Sequence, residues 1–494
     1  MMDNFLIITY QLWSLPKQGK NKWYWAAPGE IKQIFDQLPK ATTFAGVVFA
    51  DLPTDEDLVT LTPVVDAWRV IAWPKVHPQS PTGYRFWRQK LVQTHSPMAP
   101  SETVAWLTTH FFGPQEGNKL DVRSFQVNPW YHGKISYQGT VWLTLTADFG
   151  PTFRPVGNFV YSLYEYRQLE IWPEFRTTGD VEVQMVVYEL TAGENDQAAF
   201  QQTYSQVDLQ KEIVIPARTP GGQLAVSFAV RGKGSFALGD IHFRWTRRGS
   251  GKLLPGGQRI VNPDRGELHW YFNPGNLKPP LNVYFSGYRT REGFEGFYMM
   301  KGLHHPFILI TDPRLEGGGF YLQSPETEKQ ICQKIRTILA WLGFSNQEIT
   351  FAGLSMGTAG ALYYGSFFKP HAIVLGKPLM RLGQVAKNER ARFNTFATSL
   401  DVARLFEDQT GPYPDDEVLT SALDQRLAKR LAQADLTQTK LIVAYMNQDD
   451  YDELGFATLV GYLNQQKHFP YLIRRGFEGH HVDQPAAANG WFIH

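Results

Sequence analysis

One cysteine in 494 residues, Cys332, excludes an intramolecular disulfide, so nothing in the chain calls for an oxidising compartment. No run of 18 apolar residues occurs, so no helix is expected to cross a membrane. The amino terminus lacks a basic start, and its apolar run from Phe5 to Tyr10 is too short for a signal peptide. A cytoplasmic protein is expected, with peripheral contact at the inner face of the cell membrane left open. A charge excess is also missing: 48 Lys and Arg face 47 Asp and Glu, a net charge of +1. That balance argues against nucleic acid as the main partner, because phosphate binding needs a basic field. The chain has no internal repeat, no low-complexity tract and, in its first 115 residues, no phosphate-binding glycine loop. His304 and His305 are adjacent, but no ligand set with metal spacing surrounds them, so no metal is expected.

Aromatic residues, by contrast, make up 14% of the chain. That richness suits aromatic-heavy cores, sugar-stacking surfaces and protein interfaces alike. The pattern changes twice along the sequence, and three domains are expected. Residues 1–115 read as a small mixed α/β domain, with a strand at Phe5–Tyr10, helical spacing over 29–38, and strands near 44–52 and 68–73. Residues 120–250 read as a β-sandwich, because Val181, Val183, Met185 and Val187 alternate, as do Leu224, Val226, Phe228 and Val230, and the segment Gly239–Trp245 resembles the final strand of sandwich carbohydrate-binding modules. Either sugar or protein would suit its surface. Residues 247–257 are rich in Gly, Pro and polar residues and read as a linker.

Residues 258–494 return to α/β alternation and read as an α/β-hydrolase-like domain. Strands are expected at 281–286, 306–311, 349–352, 372–376, 441–446 and 471–473. Ser324 caps a helix with Pro325 at its first position, and Gly343 ends it. Further helices are expected at 415–434 and 452–465. Within this region Gly353-Leu354-Ser355-Met356-Gly357 stands between a strand-like run and a small-residue helix. Strand, Gly-x-Ser-x-Gly and helix together are the signature of a nucleophile elbow. The pentapeptide alone is weak evidence: 18 serines and 43 glycines supply about 0.14 chance matches per chain. Its context is what makes it informative.

A serine hydroxyl needs a base to take its proton. The histidine is sought in Gly479-His480-His481-Val482-Asp483, with His481 first and His480 as alternate. The carboxylate is sought after the strand ending at Met446, with Asp450 first, then Asp449 or Asp452. The order Ser, Asp, His is that of α/β-hydrolases. An oxyanion hole is expected from the Met356 amide plus that of Gly287 or Tyr288. Arg289 and Arg291 are expected either to bind an anionic donor or acceptor group or to form surface ion pairs.

Several long runs resemble one family. They are Tyr284–Arg289, Glu292–Met300, Asp312–Gly318, Gly353–Gly357, Gly376–Leu379, Thr398–Asp401 and Tyr445-Met446 with Asp449–Asp452. They resemble the second accessory secretory proteins of the accessory Sec system, over about 280–484; the first 270 residues match more loosely. His480 and Val482 stand where the family pattern has Arg and Asn. The resemblance implies an O-acetyltransferase acting on N-acetylglucosamine of serine-rich repeat adhesins while supporting their export. It implies an acetyl donor as co-substrate and no bound cofactor. The implied partners are the first and third accessory secretory proteins, the accessory SecA motor and the glycosylated adhesin. A non-catalytic scaffold of the export complex, or a plain carbohydrate esterase, are the alternatives.

Overall fold

The computed structural model describes residues 3–492 except 18, 114, 116, 139–140, 163–166, 191–199, 217–221, 264, 290, 315–318, 393–415, 466–468, 484–489 and 491. The run at 398–401 and the end of the run at 312–318 therefore lie outside the described residues.

The amino-terminal part is a five-stranded parallel sheet, with the second strand, Lys22–Ala26, on the edge and Asn4–Ile8 and Gly46–Phe49 beside each other. The helix expected over 29–38 is shortened to Ile31–Phe35. Pro39 follows, and a proline disfavours helical backbone at the residue before it.

The middle part is a nine-stranded antiparallel arrangement around one core. The alternation predicts a sandwich or jelly roll. Two long strands, Trp142–Ser162 and Gln223–Trp245, run through this part and link its strands by hydrogen bonds. Their pairing shifts register on both sides of Gly232, which sits at φ +93°. A Cβ there would lie 2.2 Å from the Asp180 carbonyl oxygen, so only glycine allows this bend.

The carboxyl-terminal sheet has eight strands: β1 Gln258–Val261, β2 Glu267–Asn273, β3 Leu281–Phe285, β4 Phe307–Thr311, β5 Ile349–Leu354, β6 Ala372–Gly376, β7 Lys440–Met446 and β8 Tyr471–Phe477. Their order is β1-β2-β4-β3-β5-β6-β7-β8, parallel from β4 onward. The sequence pattern does not reveal β1 and β2. All seven residues of β2 are buried, yet Glu267 and His269 interrupt its apolar pattern. The helix Pro325–Leu342 starts at the Ser324 cap and ends at Gly343, φ +77°. Ile331, Ile335 and Ile338 bury its inner face against the sheet; each such side chain contributes about 1.5–3 kcal/mol.

The segment read as a linker is packed rather than exposed. Arg247 is 1% exposed, with Leu253 and Leu254 also buried. Its guanidinium donates to the carbonyls of Leu253, His110 and Phe112 and lies over the Phe112 ring. Polar composition misleads here, because carbonyls and an aromatic face satisfy the cation inside the protein.

Candidate active site

β5 carries the elbow. A Cβ on Gly353 would lie 2.1 Å from the Gly357 carbonyl oxygen, and one on Gly357 would lie 2.1 Å from that of Phe285. Both positions therefore require glycine. Between them Ser355 is held at φ +53°, a left-handed conformation that L side chains rarely adopt. Its amide donates to the Gly376 carbonyl on β6 at 2.7 Å, and its own carbonyl accepts from the Thr358 amide and hydroxyl. These contacts tie the elbow to the neighbouring strand and to the first turn of the helix Gly357–Gly365.

The last strands deliver the partners. Ser355 Oγ lies 2.7 Å from His481 Nε2. His481 Nδ1 lies 2.8 Å from Asp449 Oδ2. A carboxylate only accepts, so Nδ1 carries the proton and Nε2 is left to accept from the serine hydroxyl. Of the expected acids, the ring meets the alternate Asp449 and not the first choice: Asp450 Oδ1 accepts from the His481 backbone amide at 3.0 Å. The reason is local. Asp449 Oδ1 accepts from the amides of Tyr451 and Asp452, and that turn points its other oxygen inward. Burial pushes the Asp449 carboxyl up, but the His481 contact and these amides outweigh it and hold it below the usual carboxylate range. Asp452 is turned away, accepting from Met380 N, Arg381 N and Arg381 Nε. His480 is exposed, and its amide donates to Asp483 Oδ2. The sequence places Lys377 in the run Gly376–Leu379 but gives it no role; its ammonium donates to the carbonyls of His481 and Asp483 and so fixes the histidine loop.

On the other side of the serine, Met356 heads the helix Gly357–Gly365, where amides and the helix dipole favour negative charge. The Gly287 amide, one of the two expected second donors, is committed: it donates to Glu295 Oε2 at 2.5 Å. Tyr288, one residue on, is the other. Glu295 also accepts from Tyr284 Oη, and its own amide donates to Ser286 Oγ. Burial raises its pKa from the usual glutamate value. Glu295 falls in the run Glu292–Met300, but its role is not read from the sequence, because a carboxylate serving a loop amide and a tyrosine hydroxyl has no motif.

Arg289 donates to the carbonyls of Arg291 and Phe294, folding its loop back on itself. Beneath that loop Glu292 is buried against the middle sheet. Its Oε1 lies 2.5 Å from His242 Nδ1, and its Oε2 pairs with Arg244 Nε. Burial alone would lower the His242 pKa, but Glu292 and Glu174 raise it to about 9. His242 is therefore an imidazolium at neutral pH. Glu174, Asp240 and His242 bring their donor atoms within 4.8 Å of one another. Those of His242 and Asp240 already meet Glu292 and Lys119, so the group reads as an ion-pair cluster.

The family model described as the accessory Sec system GspB-transporter matches residues 14–494. The second accessory secretory protein of the accessory Sec system of Staphylococcus aureus is 40% identical over 387 residues, covering 77% of this chain and 72% of the relative. Its counterpart in Streptococcus gordonii is 33% identical over 470 residues, covering 94% and 90%. A chain of the Glycosylation Associate Protein (Gap123) complex from Streptococcus agalactiae superposes with a TM-score of 0.85 at 32% identity, over 99% of this chain and 96% of that one. By sequence and by fold, the chain belongs to the accessory Sec system GspB-transporter family, that of the second accessory secretory proteins.

Proposed function

We propose that the chain is a serine-dependent O-acetyltransferase that acetylates N-acetylglucosamine on serine-rich repeat glycoproteins and supports their export. The observation that carries this is the hydrogen-bonded line from Ser355 through His481 to Asp449, with links of 2.7 and 2.8 Å. Ser355 Oγ attacks the carbonyl of an activated acetyl donor while its proton passes to His481 Nε2. The Met356 amide and a second amide from the loop after β3, Tyr288 N, stabilise the oxyanion. Collapse expels the donor's leaving group, which takes the proton from His481. A sugar hydroxyl then gives its proton to Nε2 and attacks the acetyl-serine. The second collapse frees the sugar ester and returns the proton to Ser355. Asp449 stays ionised throughout and holds the imidazolium.

The Gap123 relative, solved as a complex, favours a role inside an assembly. The proposed partners are the first and third accessory secretory proteins, the accessory SecA motor and the glycosylated adhesin. Transfer and scaffolding coexist in this reading. The test of chemistry incubates the protein with an aryl acetate and a glycopeptide bearing O-linked N-acetylglucosamine, and weighs the sugar by mass spectrometry. Acetylated sugar above the uncatalysed background supports transfer. Release of acetate with no sugar ester leaves only an esterase.

Two substitutions test the roles. Asp449→Asn is expected to lower kcat by roughly 10⁴-fold, because the amide no longer enforces the tautomer that leaves Nε2 basic. Asp450→Asn keeps an oxygen for the His481 amide, and a change under about tenfold is expected. The reverse ranking of the two kcat values would return the acid to Asp450. Glu295→Ala is expected to lower kcat by roughly 10²-fold, because the loop carrying Tyr288 loses the anchor of its first amide. Unaltered kcat for Glu295→Ala would show that this anchor does not position the loop.

A further inference from the structure

A small polar pocket opens between the middle sheet and the loop after β3. Its volume is about 100 Å³, and its walls include Asn118 and Asp121 from the middle part, Arg289 and Arg291 from the loop, and Asp312 after β4. Gly287 forms another wall, and a Cβ on Gly287 would lie 2.9 Å from the Leu354 carbonyl oxygen, immediately before Ser355. The pocket therefore stands at the same sheet edge as the serine. It is also a built feature. The strand Gly117–Leu120 belongs to the middle sheet through Ile241–Arg244, and the Glu292 amide donates to the Gly117 carbonyl at 2.9 Å. Asp121 is paired with Arg123, Asp312 with Arg314, and Lys119 with Asp240. Side chains pinned in this way hold their positions before any ligand arrives.

The charges decide what kind of ligand fits. The lining is polar and mixed in sign, with Lys119, Arg289 and Arg291 beside Asp121, Glu292 and Asp312; the three carboxylates and Lys119 are already paired with Arg123, Arg244, Arg314 and Asp240. A neutral group rich in hydroxyls and amides suits such a lining: remaining carboxylate lone pairs accept from its O–H groups, while Asn118 and the guanidiniums donate to its oxygens. The volume holds about three waters, enough for an N-acetyl or hydroxymethyl arm and too little for a whole sugar ring.

Resting on the acyl-transfer reading, we propose that this pocket is the acceptor subsite, taking one arm of a neutral sugar whose hydroxyl then faces Ser355. The middle sheet is thereby part of the acceptor site, supplying Asn118 and Asp121, while the loop after β3 supplies the opposite wall. Water has no arm to anchor there, so the pocket favours sugar over water as acceptor.

Binding tests this apart from catalysis. The full-length Ser355→Ala protein is titrated calorimetrically with the O-linked N-acetylglucosamine glycopeptide and, separately, with inorganic phosphate. Saturable glycopeptide binding is expected, weakened at least tenfold by adding Asn118→Ala or Asp121→Asn, and not displaced by phosphate. Two substitutions on different contacts guard against one local distortion, and each protein's unfolding midpoint is measured alongside. Equal affinity in well-folded variants, absence of glycopeptide binding, or displacement by phosphate would each overturn the subsite. In the Ser355-intact proteins the same substitutions are expected to lower the ratio of sugar acetylation to acetate release by a similar factor. An inactive Ser355-intact protein that still binds the glycopeptide through Asn118 and Asp121 would sink the transferase reading and leave the sugar site standing.

Discussion

Replacing Ser355 by alanine is expected to lower kcat for acetyl transfer by roughly 10⁶-fold, about 8 kcal/mol of barrier, while leaving the unfolding midpoint within about a degree. The chemical loss is complete because the acyl group has no other oxygen to form an ester with, and His481 Nε2 loses the hydroxyl it faces at 2.7 Å. The structural loss is small. Alanine meets the same left-handed backbone at φ +53° that serine already tolerates, and the hydroxyl's bond to His481 is the contact given up. Export-complex assembly is expected to survive, since the elbow lies within the carboxyl-terminal sheet. Turnover near the wild-type rate would remove the serine from the chemistry; lost assembly with intact folding would favour the scaffold as its main role.

The second large effect concerns stability. Arg244→Ala is expected to cost about 3–5 kcal/mol, because it leaves buried carboxylates without their cation. Arg244 is 2% exposed; its Nη1 lies 2.6 Å from Glu267 Oε2, and its Nε pairs with Glu292. Burial pushes the Glu267 carboxyl up, but Arg244 and His269 outweigh it and hold it well below the usual 4.5. The sign of the pH dependence follows. A carboxylate depressed in the folded state stabilises above about pH 4.5, and that stabilisation fades as pH falls through its lowered folded value. The gap between variant and wild type should therefore be widest near neutrality and narrow in acid. His242 works in the opposite sense. Its folded pKa of about 9 exceeds the ordinary 6.5, so its contribution is full below pH 6.5 and is lost as pH rises through 9. Unfolding midpoints measured from about pH 2 to 10 on both proteins check this. A variant as stable as the wild type at neutral pH would show that the cluster contributes no net stability. Because Glu292 anchors the loop bearing Arg289 and Arg291, kcat is expected to fall with the midpoint.

What the sequence revealed follows from the physics of each feature. The elbow is legible because steric demand is local: two glycines flank the serine where added Cβ atoms would meet backbone 2.1 Å away. The capped helix Pro325–Leu342 is legible for the same reason, since Ser324 and Gly343 act on their own ends. Chain order places His481 and the acidic run in the right loops. It does not say which aspartate meets the ring, because that depends on how the turn at Asp449–Asp452 uses its amides. Strand β2 is hidden by Glu267, whose charge is met by Arg244 on the middle sheet and Arg259 on β1, and by His269, which lies beside Glu267. The role of Glu295 is not legible because its partners are a backbone amide and a tyrosine hydroxyl. The middle part shows its strands through alternation, but not that two long strands link them.

The most direct test of the central claim is to trap the acyl-enzyme. The protein and its His481→Ala variant are quenched in acid after brief exposure to an aryl acetate, digested, and the peptides weighed by mass spectrometry. An acetyl group on Ser355 is predicted in the wild type, and none in the variant over the same interval. A wild-type protein acetylated elsewhere, or nowhere, while still forming sugar ester would contradict it.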